Sequence, residues 1–180
     1  RWGSVSSDSS GVTVGTDNVA AGRLAGEHLI AAGRSRIAFL GHADDHYPEF
    51  AGRYRGLVEA LRGAGLGPDP ALQFDALTTE EEGRSAAQAL LDGGARFDAI
   101  FAASDLIAIG AMRALADAGL TVPEDVAVVG FDDIPAASLT TPPLTTVMQD
   151  IRGAGQALVE TLLAQIEGRD LPPRKLPGTL

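Results

Sequence analysis

The sequence predicts an α/β protein with a doubly wound parallel sheet and flanking helices. Segments of strand length alternate with segments of helix length along most of the chain. The middle strands, such as 37–40 and 126–129, are continuously apolar, which is typical of parallel strands that are covered on both faces. Glycines follow the predicted helices at Gly33, Gly65 and Gly119, where left-handed helix caps form.

The individual elements follow from the same periodicities. Runs of apolar and β-branched residues have the length of strands. They are 12–16, 36–41, 71–76, 97–103, 126–131 and 145–149. Other stretches repeat apolar residues at spacings of three and four, the pattern of a helix with one buried face. They are 19–32, 49–64, 79–92, 106–118 and 151–167. Thr78 and Glu81 have the spacing of a capping box before the third helix.

Composition excludes several classes of function. The 180 residues include 24 acidic and 14 basic side chains, and the net charge of -10 opposes the phosphate neutralisation that drives nucleic-acid binding. The absence of cysteine excludes disulfides, zinc ribbons, iron–sulfur clusters and thiol catalysis. No apolar run approaches the roughly 18 residues of a membrane helix. We therefore expect a chain that, as it stands, binds neither DNA nor membrane.

Polar residues stand where the predicted strands end, and the carboxyl ends of parallel strands are where ligands bind in this fold class. Asp17 follows the first strand, Ser104 the fourth and Asp132 the fifth, while the sixth ends at Gln149. Arg53 lies one turn into the second helix. Carboxylates, an arginine, an amide and a hydroxyl suit a compact polar ligand, because they match vicinal hydroxyls or the edge of a purine.

Each of these residues also has a simpler interpretation. Asp17 and Ser104 stand where helix N-caps belong, and the aspartate pair after the fifth strand is typical of a turn. Arg53 follows Glu49 by one helical turn, a spacing that forms solvated ion pairs. The grouping of all five residues at one edge of the sheet favours a binding site over separate explanations.

Motifs for catalysis and metal binding are missing. The sequence contains neither a Gly-x-x-x-x-Gly-Lys-Ser/Thr phosphate loop nor a Gly-x-Ser-x-Gly nucleophile elbow. His42 and His46 flank two aspartates, but they lie in a loop that ends at Pro48, where no helix sets both imidazoles on one face. We expect no metal, no cofactor and no enzymatic activity.

Four phrases of the sequence are together specific to one family. They are 14–18 with 28–33 and 36–41; 53–56 with 60–61; 98–105 with 108–111; and 122–133 continued by 142–147. Through these phrases, which cover roughly residues 12 to 168, the chain resembles the sensor domain of LacI/GalR-type transcriptional repressors. That domain shares its fold with the periplasmic sugar-binding proteins.

The resemblance implies a site. In the family, two α/β subdomains joined by three crossing segments close on a small effector, and an N-terminal helix-turn-helix module reads operator DNA. Effector contacts are implied for Asp17, Arg53, Ser104, Asp132 and Gln149. The arginine would form a two-pronged clamp, and the aspartate after the fifth strand would accept from ligand hydroxyl or N–H groups. The serine stands where many relatives have asparagine.

Aromatic side chains that could cover an apolar face of the effector are chosen by proximity to these positions. The candidates are Tyr47, Phe50 and Phe74.

The resemblance also implies a division of the chain. We expect a remnant of the N-terminal subdomain at 1–33, a complete C-terminal subdomain at 34–146, a return segment and helix at 147–168 and an extended tail at 169–180. The chain then represents a fragment that lacks the helix-turn-helix. Its first and last helices would normally pack on the missing subdomain, so we expect them to be placed unusually or held by a neighbouring chain.

The implied function is the ligand-sensing and dimerising part of a cytoplasmic LacI/GalR-type regulator. The effector would be a sugar or polyol, with a nucleoside or purine as the second possibility, and the chain would form a homodimer. Operator DNA would be bound only through the missing helix-turn-helix module. A solute-binding protein of a sugar transporter is the alternative, because it has the same fold and a similar cleft.

Overall fold

The computed structural model describes residues 2–3, 13–169 and 171–180. The predicted first strand begins at Val12, which lies outside the described residues, and so does most of the chain before it. Within the described ranges, strands and helices alternate as the sequence predicts. None of the helices in these ranges is both long and apolar enough to cross a lipid bilayer.

The elements are numbered in chain order. The strands are β1 (Val14–Thr16), β2 (Ile37–Leu40), β3 (Gln73–Phe74), β4 (Ala99–Ala102), β5 (Ala127–Asp132), β6 (Thr145–Gln149), β7 (Arg174–Leu176) and β8 (Gly178–Thr179). The α-helices are α1 (Asn18–Ala31), α2 (Pro48–Gly63), α3 (Glu80–Asp92), α4 (Asp105–Asp117) and α5 (Ile151–Ile166). Short 3₁₀ helices cover Pro70–Leu72 and Pro135–Leu139. The first of these shortens the predicted third strand, because Asp69 accepts from the backbone N–H of Ala71 and starts a turn there.

The larger sheet has six strands in the order β3-β2-β4-β5-β6-β8. All neighbours are parallel except β6 and β8. The chain moves outward from β2 to β3 and then crosses back to β4, so the strand order reverses between β2 and β4. This is the doubly wound topology, and a crevice for ligands opens at the carboxyl ends of the strands at such a reversal. The predicted fold class is confirmed.

The central strands of this sheet are continuous apolar runs because they are buried in the core. Every residue of β2 and β4 is buried, as is β5 up to Phe131. Helices α1 and α2 pack together as one pair, and α3 and α4 as another. Right-handed crossovers place the two pairs on opposite faces of the sheet. Parallel strands covered on both faces have no solvent-facing positions that would require polar side chains.

Helices α1 and α2 approach each other closely because glycines line their contact. A Cβ atom added at Gly22 would lie 2.1 Å from the carbonyl oxygen of Arg53, and one added at Gly56 would lie 2.1 Å from that of Val19. Any larger residue would push the helices apart. The two helices are thereby held in backbone contact at the ends that face the carboxyl edge of the sheet.

The position of α1 corrects one expectation. The first helix was expected to pack on a missing subdomain, yet Ala21, Ala25 and Leu29 are buried in the main core and the helix lies along α2. The physical reason is its small residues, which let it pack closely on α2 and against strands of the larger sheet. Helix α1 therefore shares the core of the larger sheet.

Among the described residues, β1 and β7 form a second, smaller sheet, in which they pair in parallel. Helix α5 packs on it, and Ala154 and Ala157 form a small cluster with Val14. The opposite face of α5 is also apolar, but it is exposed to solvent. Its side chains Val159, Leu162, Leu163 and Ile166 are 54–73% exposed. Helix α5 is thus apolar on two faces, and the described residues cover one of them.

Three connections join the two sheets, and they lie side by side. They run from β1 to α1, from β6 to α5 and from β7 to β8. The backbone N–H of Asp17 donates to the carbonyl oxygen of Leu176 at 2.8 Å, and the Thr16 hydroxyl donates to Gln149 Oε1 at 2.7 Å. The predicted extended tail therefore passes between the sheets and adds a strand to each.

The close contact between α1 and α2 predicts that alanine substitutions at two glycines change the free energy of unfolding in opposite directions. Gly56→Ala should lower the free energy of unfolding by about 1–3 kcal/mol, because the new methyl group meets the backbone of α1. Gly155→Ala in α5 is the matched control, since a Cβ atom there meets nothing within 4 Å. This control should raise stability by about 0.5–1 kcal/mol through the better helix propensity of alanine. Urea unfolding measures both, and a Gly56→Ala variant as stable as the parent would contradict the packing described.

Candidate functional site

A cavity of about 270 Å³ lies beside the three connections, at the carboxyl edge of the larger sheet. Five of its seven lining residues have polar side chains. Its lining residues come from the N-terminal residues, from β1, from the first turns of α1 and α2 and from the end of β6. They are Trp2, Gly3, Thr16, Asn18, Glu49, Arg53 and Gln149.

Arg53 is the positively charged side chain among these lining residues, and it is only 5% exposed. Its Nε donates to Asn18 Oδ1 at 2.9 Å, and its Nη1 donates to the carbonyl oxygen of Ala103. The guanidinium carbon lies 3.5 Å from the centre of the Phe131 ring, which gives a cation–π contact. The solvated ion pair with Glu49 is therefore not the environment of this arginine.

These contacts use some of the N–H groups with which Arg53 would clamp a ligand. A two-pronged clamp on a ligand needs two parallel N–H groups that point at it. Two of the three nitrogens already donate to the protein, which leaves Nη2 without a protein acceptor among the described residues. Nη1 carries a second N–H besides the one that donates to Ala103, so Nη1 and Nη2 still offer N–H groups to a ligand, and the two-pronged clamp stays a prediction. The bonds from Nε and Nη1 hold the site together.

Arg53 keeps its positive charge although its side chain is buried. Loss of hydration lowers the pKa of its guanidinium to about 10, while the carboxylates of Asp132, Glu49 and Asp105 act in the opposite direction. The group therefore stays protonated at neutral pH. A positive charge held in a poorly hydrated site acts more strongly on its neighbours than one in water.

Asp132 and Gln149 form a hydrogen-bonded chain with Thr16. Gln149 Nε2 donates to Asp132 Oδ1 at 2.6 Å, and Gln149 Oε1 accepts from the Thr16 hydroxyl at 2.7 Å. Burial raises the pKa of Asp132, while the charge of Arg53 and the bond from Gln149 lower it. The chain fixes the amide orientation and leaves Asp132 Oδ2 as an acceptor for a ligand hydroxyl.

The backbone at Asp132 is held in an unusual conformation. Asp132 has φ 115° and Asp133 has φ 56°, a region that side-chain-bearing residues rarely adopt. The buried carboxylate of Asp105 fixes this turn, because its Oδ2 accepts from the Ile134 N–H at 2.9 Å and its Oδ1 from the Thr146 hydroxyl at 2.5 Å. Strain of this kind is typical of functional sites. Asp105 was missed in the sequence, although it directly follows a predicted site residue.

Three of the predicted site residues do not line the cavity. Asp132 reaches it through its bond with the lining residue Gln149, whereas Asp17 and Ser104 cap helices. Asp17 accepts from the Ala20 N–H at 3.2 Å as the N-cap of α1, and its other oxygen lies 3.7 Å from Lys175 Nζ. Ser104 is buried and accepts from the Ile107 N–H at 3.4 Å as the N-cap of α4. The cap interpretation accounts for the contacts of both side chains. Neither lines the cavity.

The structure places the three predicted aromatic residues in different surroundings. The Phe50 ring centre lies 5.4 Å from the Arg53 guanidinium carbon, at the edge of the site. Tyr47 stacks on His42 with ring centres 4.2 Å apart and is partly exposed. Phe74 faces the end of α3 near Gly93 and packs on the core, away from the cavity.

Trp2 is the aromatic residue that lines the cavity. Sequence reasoning missed it because its position depends on the bridge that it forms with Val14 of β1.

The histidine loop places two imidazoles beside one carboxylate. His46 Nδ1 lies 3.0 Å from Asp44 Oδ1, and His42 Nδ1 lies 3.4 Å from the other oxygen of the same carboxylate. The backbone N–H of His46 lowers the pKa of Asp44. In the part of the chain that the structure describes, no group of three or more His, Cys, Asp or Glu side chains could hold a metal ion.

Burial of Asp105 predicts a pH dependence. Loss of hydration raises its pKa in the folded state, so the folded protein binds this proton more tightly than the unfolded chain does. The protein should lose stability relative to Asp105→Asn as the pH rises above about 3.9, the ordinary value for aspartate, because the buried group must ionise. Urea unfolding of both proteins from pH 3.5 to 7 measures the two slopes. If the free energy of unfolding depends on pH in the same way for both proteins, ionisation of the buried Asp105 does not destabilise the fold and the prediction is wrong.

Comparison with known proteins agrees with this arrangement. Residues 27–180 match the family described as the periplasmic binding protein-like domain. The transcriptional regulator CelR of Thermobifida fusca is 39% identical over 163 residues, which are 91% of this chain and 48% of that protein. The chain spans about half the length of this curated relative.

Solved structures give the same result. A regulatory protein of the LacI family from Chloroflexus aggregans has a TM-score of 0.92 at 35% identity, over 99% of this chain and 65% of that one. A CelR–cellobiose complex has a TM-score of 0.86 at 36% identity, over 94% of this chain and 53% of that one. These relatives are regulators, which confirms the expectation that the chain is not an enzyme. The chain belongs to the periplasmic binding protein-like family, and within it to the sensor domains of LacI-type transcriptional regulators.

Proposed function

We propose that the chain is the ligand-sensing part of a LacI-type transcriptional regulator and that its cavity binds a sugar or polyol. The observation that carries this proposal is the chain of hydrogen bonds from Thr16 through Gln149 to Asp132, which lies beside the buried Arg53 and joins both sheets. A ligand bound there contacts residues that belong to the two sides of one cleft.

The chemistry of the cavity suits hydroxyl groups. Asp132 Oδ2 accepts from a hydroxyl, and the second N–H of the Gln149 amide donates to one. Trp2 offers a flat apolar surface for the C–H face of a sugar ring. The CelR structure is described as a cellobiose complex, which makes neutral disaccharides the first class to test. Nucleosides are the second class, because the same acceptors match a purine edge.

Signalling follows from the position of the cavity between the sheets. A ligand that bridges the connections favours the arrangement in which the two sides are closed, and it shifts the population by its difference in affinity for the two states. A coupling of about 1–3 kcal/mol is typical of such regulators and sensors. This coupling would change the spacing of DNA-binding modules and hence the affinity for operator DNA.

The intact protein in this proposal is a cytoplasmic homodimer with a helix-turn-helix module that binds operator DNA. The exposed apolar face of α5 supports a second lobe that packs there, and the greater length of CelR supports additional domains. The transporter alternative predicts a secretion signal upstream of the chain and no helix-turn-helix. The upstream coding sequence therefore discriminates between the two.

Ligand binding is tested by thermal unfolding of the chain with its natural flanking sequence, in the presence of cellobiose, other neutral sugars, polyols and nucleosides. At least one sugar or polyol should raise the melting temperature. Asp132→Asn should weaken binding of that ligand about tenfold or more, because a hydrogen bond to a charged group contributes about 1.5–3 kcal/mol.

Ser104→Ala is the matched control, since the Ser104 hydroxyl caps α4, whereas Asp132 is bonded to the lining residue Gln149. This variant should lose some stability and keep the ligand response. A ligand response that survives unchanged in both Asp132→Asn and Arg53→Lys would place the binding site elsewhere. A response to nucleosides alone would replace sugars with the second class.

A further inference from the structure

We propose that Asp105 is a positioning residue of the ligand site, which holds the turn after β5 so that Asp132 is presented to the ligand and to Gln149. The inference rests on the proposed ligand site and adds a residue that acts on the ligand without touching it. Asp105 is the first residue of α4, it is fully buried, and it is not among the residues that line the cavity. Its effect on a ligand therefore passes through its neighbours.

The two oxygens of Asp105 bind two different parts of the chain. Oδ2 accepts from the Ile134 N–H at 2.9 Å, at the end of the turn that carries Asp132. Oδ1 accepts from the Thr146 hydroxyl at 2.5 Å, on the strand β6 that ends at Gln149. The same carboxylate thus aligns both partners of the 2.6 Å bond between Gln149 and Asp132.

Strand β5 leaves room for this carboxylate. A Cβ atom added at Gly130 would lie 2.2 Å from Asp105 Oδ1, so a larger residue there would displace the carboxylate. The strand then enters the turn, where Asp132 has φ 115° and Asp133 has φ 56°. Residues with side chains keep such angles only where their surroundings enforce them. The bond from the Ile134 N–H to Asp105 supplies that constraint directly after the two strained residues.

The location of Asp105 is unfavourable for stability alone. Loss of hydration raises its pKa. The bonds from Thr146 and Ile134 lower this pKa, and the negative charge of Asp132 raises it. Two like charges held close together in a poorly hydrated region repel each other. Unfavourable burial and backbone strain at one place are typical of functional sites, so the combination favours a role in positioning.

Asp125 provides a matched control. Its Oδ2 accepts from the Thr121 N–H at 2.8 Å and from the Thr121 hydroxyl at 2.6 Å, so it makes the same two kinds of hydrogen bond as Asp105. It precedes β5 and therefore lies at the opposite end of that strand from the turn. Asp125→Ala removes bonds of the same kind away from the ligand site.

Three substitutions separate the two bonds of Asp105. Asp105→Ala removes both. Asp105→Asn keeps both, because the amide oxygen accepts from the Ile134 N–H and the amide NH2 donates to the Thr146 hydroxyl, which accepts as well as donates. Thr146→Val removes the bond to β6 alone, and it is the second variant if Asp105→Ala does not fold. Circular dichroism identifies the folded variants.

Two measurements are made on the chain with its natural flanking sequence. NMR gives the Cα and Cβ chemical shifts of Asp132 and Asp133, which depend on φ and ψ, and calorimetric titration gives the affinity for cellobiose. In Asp105→Ala these shifts should move, and cellobiose should bind at least about tenfold more weakly, because its hydrogen bond to a charged group is lost. Thr146→Val should show smaller changes in the same direction. Asp105→Asn and Asp125→Ala should stay close to the parent in both measurements.

Unchanged shifts of Asp132 and Asp133 in folded Asp105→Ala, or in Thr146→Val if the former does not fold, would overturn the proposal. An equal loss of affinity in Asp125→Ala would also overturn it, and so would parent affinity in an Asp105→Ala variant whose shifts have moved. This last result would leave the sugar-sensing proposal intact. If the parent does not bind cellobiose, the sugar-sensing proposal loses its first candidate, while the chemical shifts still decide the role of Asp105.

Discussion

The burial of one guanidinium organises the structure. A buried charge costs several kcal/mol unless hydrogen bonds and nearby charges compensate for it. Arg53 is compensated by residues from separate elements: Asn18 at the start of α1, the Ala103 carbonyl after β4, and the Phe131 ring on β5. Because these partners must all be in place, α1, α2 and the two central strands are fixed relative to one another at the edge where ligands bind in this fold.

The remaining features of the site depend on that arrangement. The glycine contact brings α2 close enough to α1 for Arg53 to reach Asn18. The buried carboxylate of Asp105 holds the turn after β5, which presents Asp132 to Gln149. The resulting cleft is organised before any ligand enters, so little of the binding energy is needed to order it.

Much of the fold could be predicted from the sequence, because continuous apolar strands and capped helices are local signals. Arg53, Asp132 and Gln149 lie close together, since strand ends meet at one edge of a parallel sheet, and their contact with a ligand stays a prediction. Asp17 and Ser104 satisfy nearby backbone groups instead, a choice that spacing alone does not decide. The direction of the Phe74 ring could not be predicted either, because it depends on tertiary packing.

The residues that were missed depend on neighbours distant in sequence. Asn18 matters through a bond to Arg53, 35 residues away, and Trp2 through its bridge to β1. The glycines of α1 are visible in the sequence, but their role in close helix packing can be recognised only when the contact with α2 is known.

A double-mutant cycle on Asn18 and Arg53 tests the central claim most directly. The free energy of unfolding is measured for Asn18→Ala, Arg53→Met and the double variant. If the buried guanidinium depends on its hydrogen bond to Asn18, the two substitutions should be coupled by about 1.5 kcal/mol or more. Effects that add to within about 0.5 kcal/mol would contradict the account.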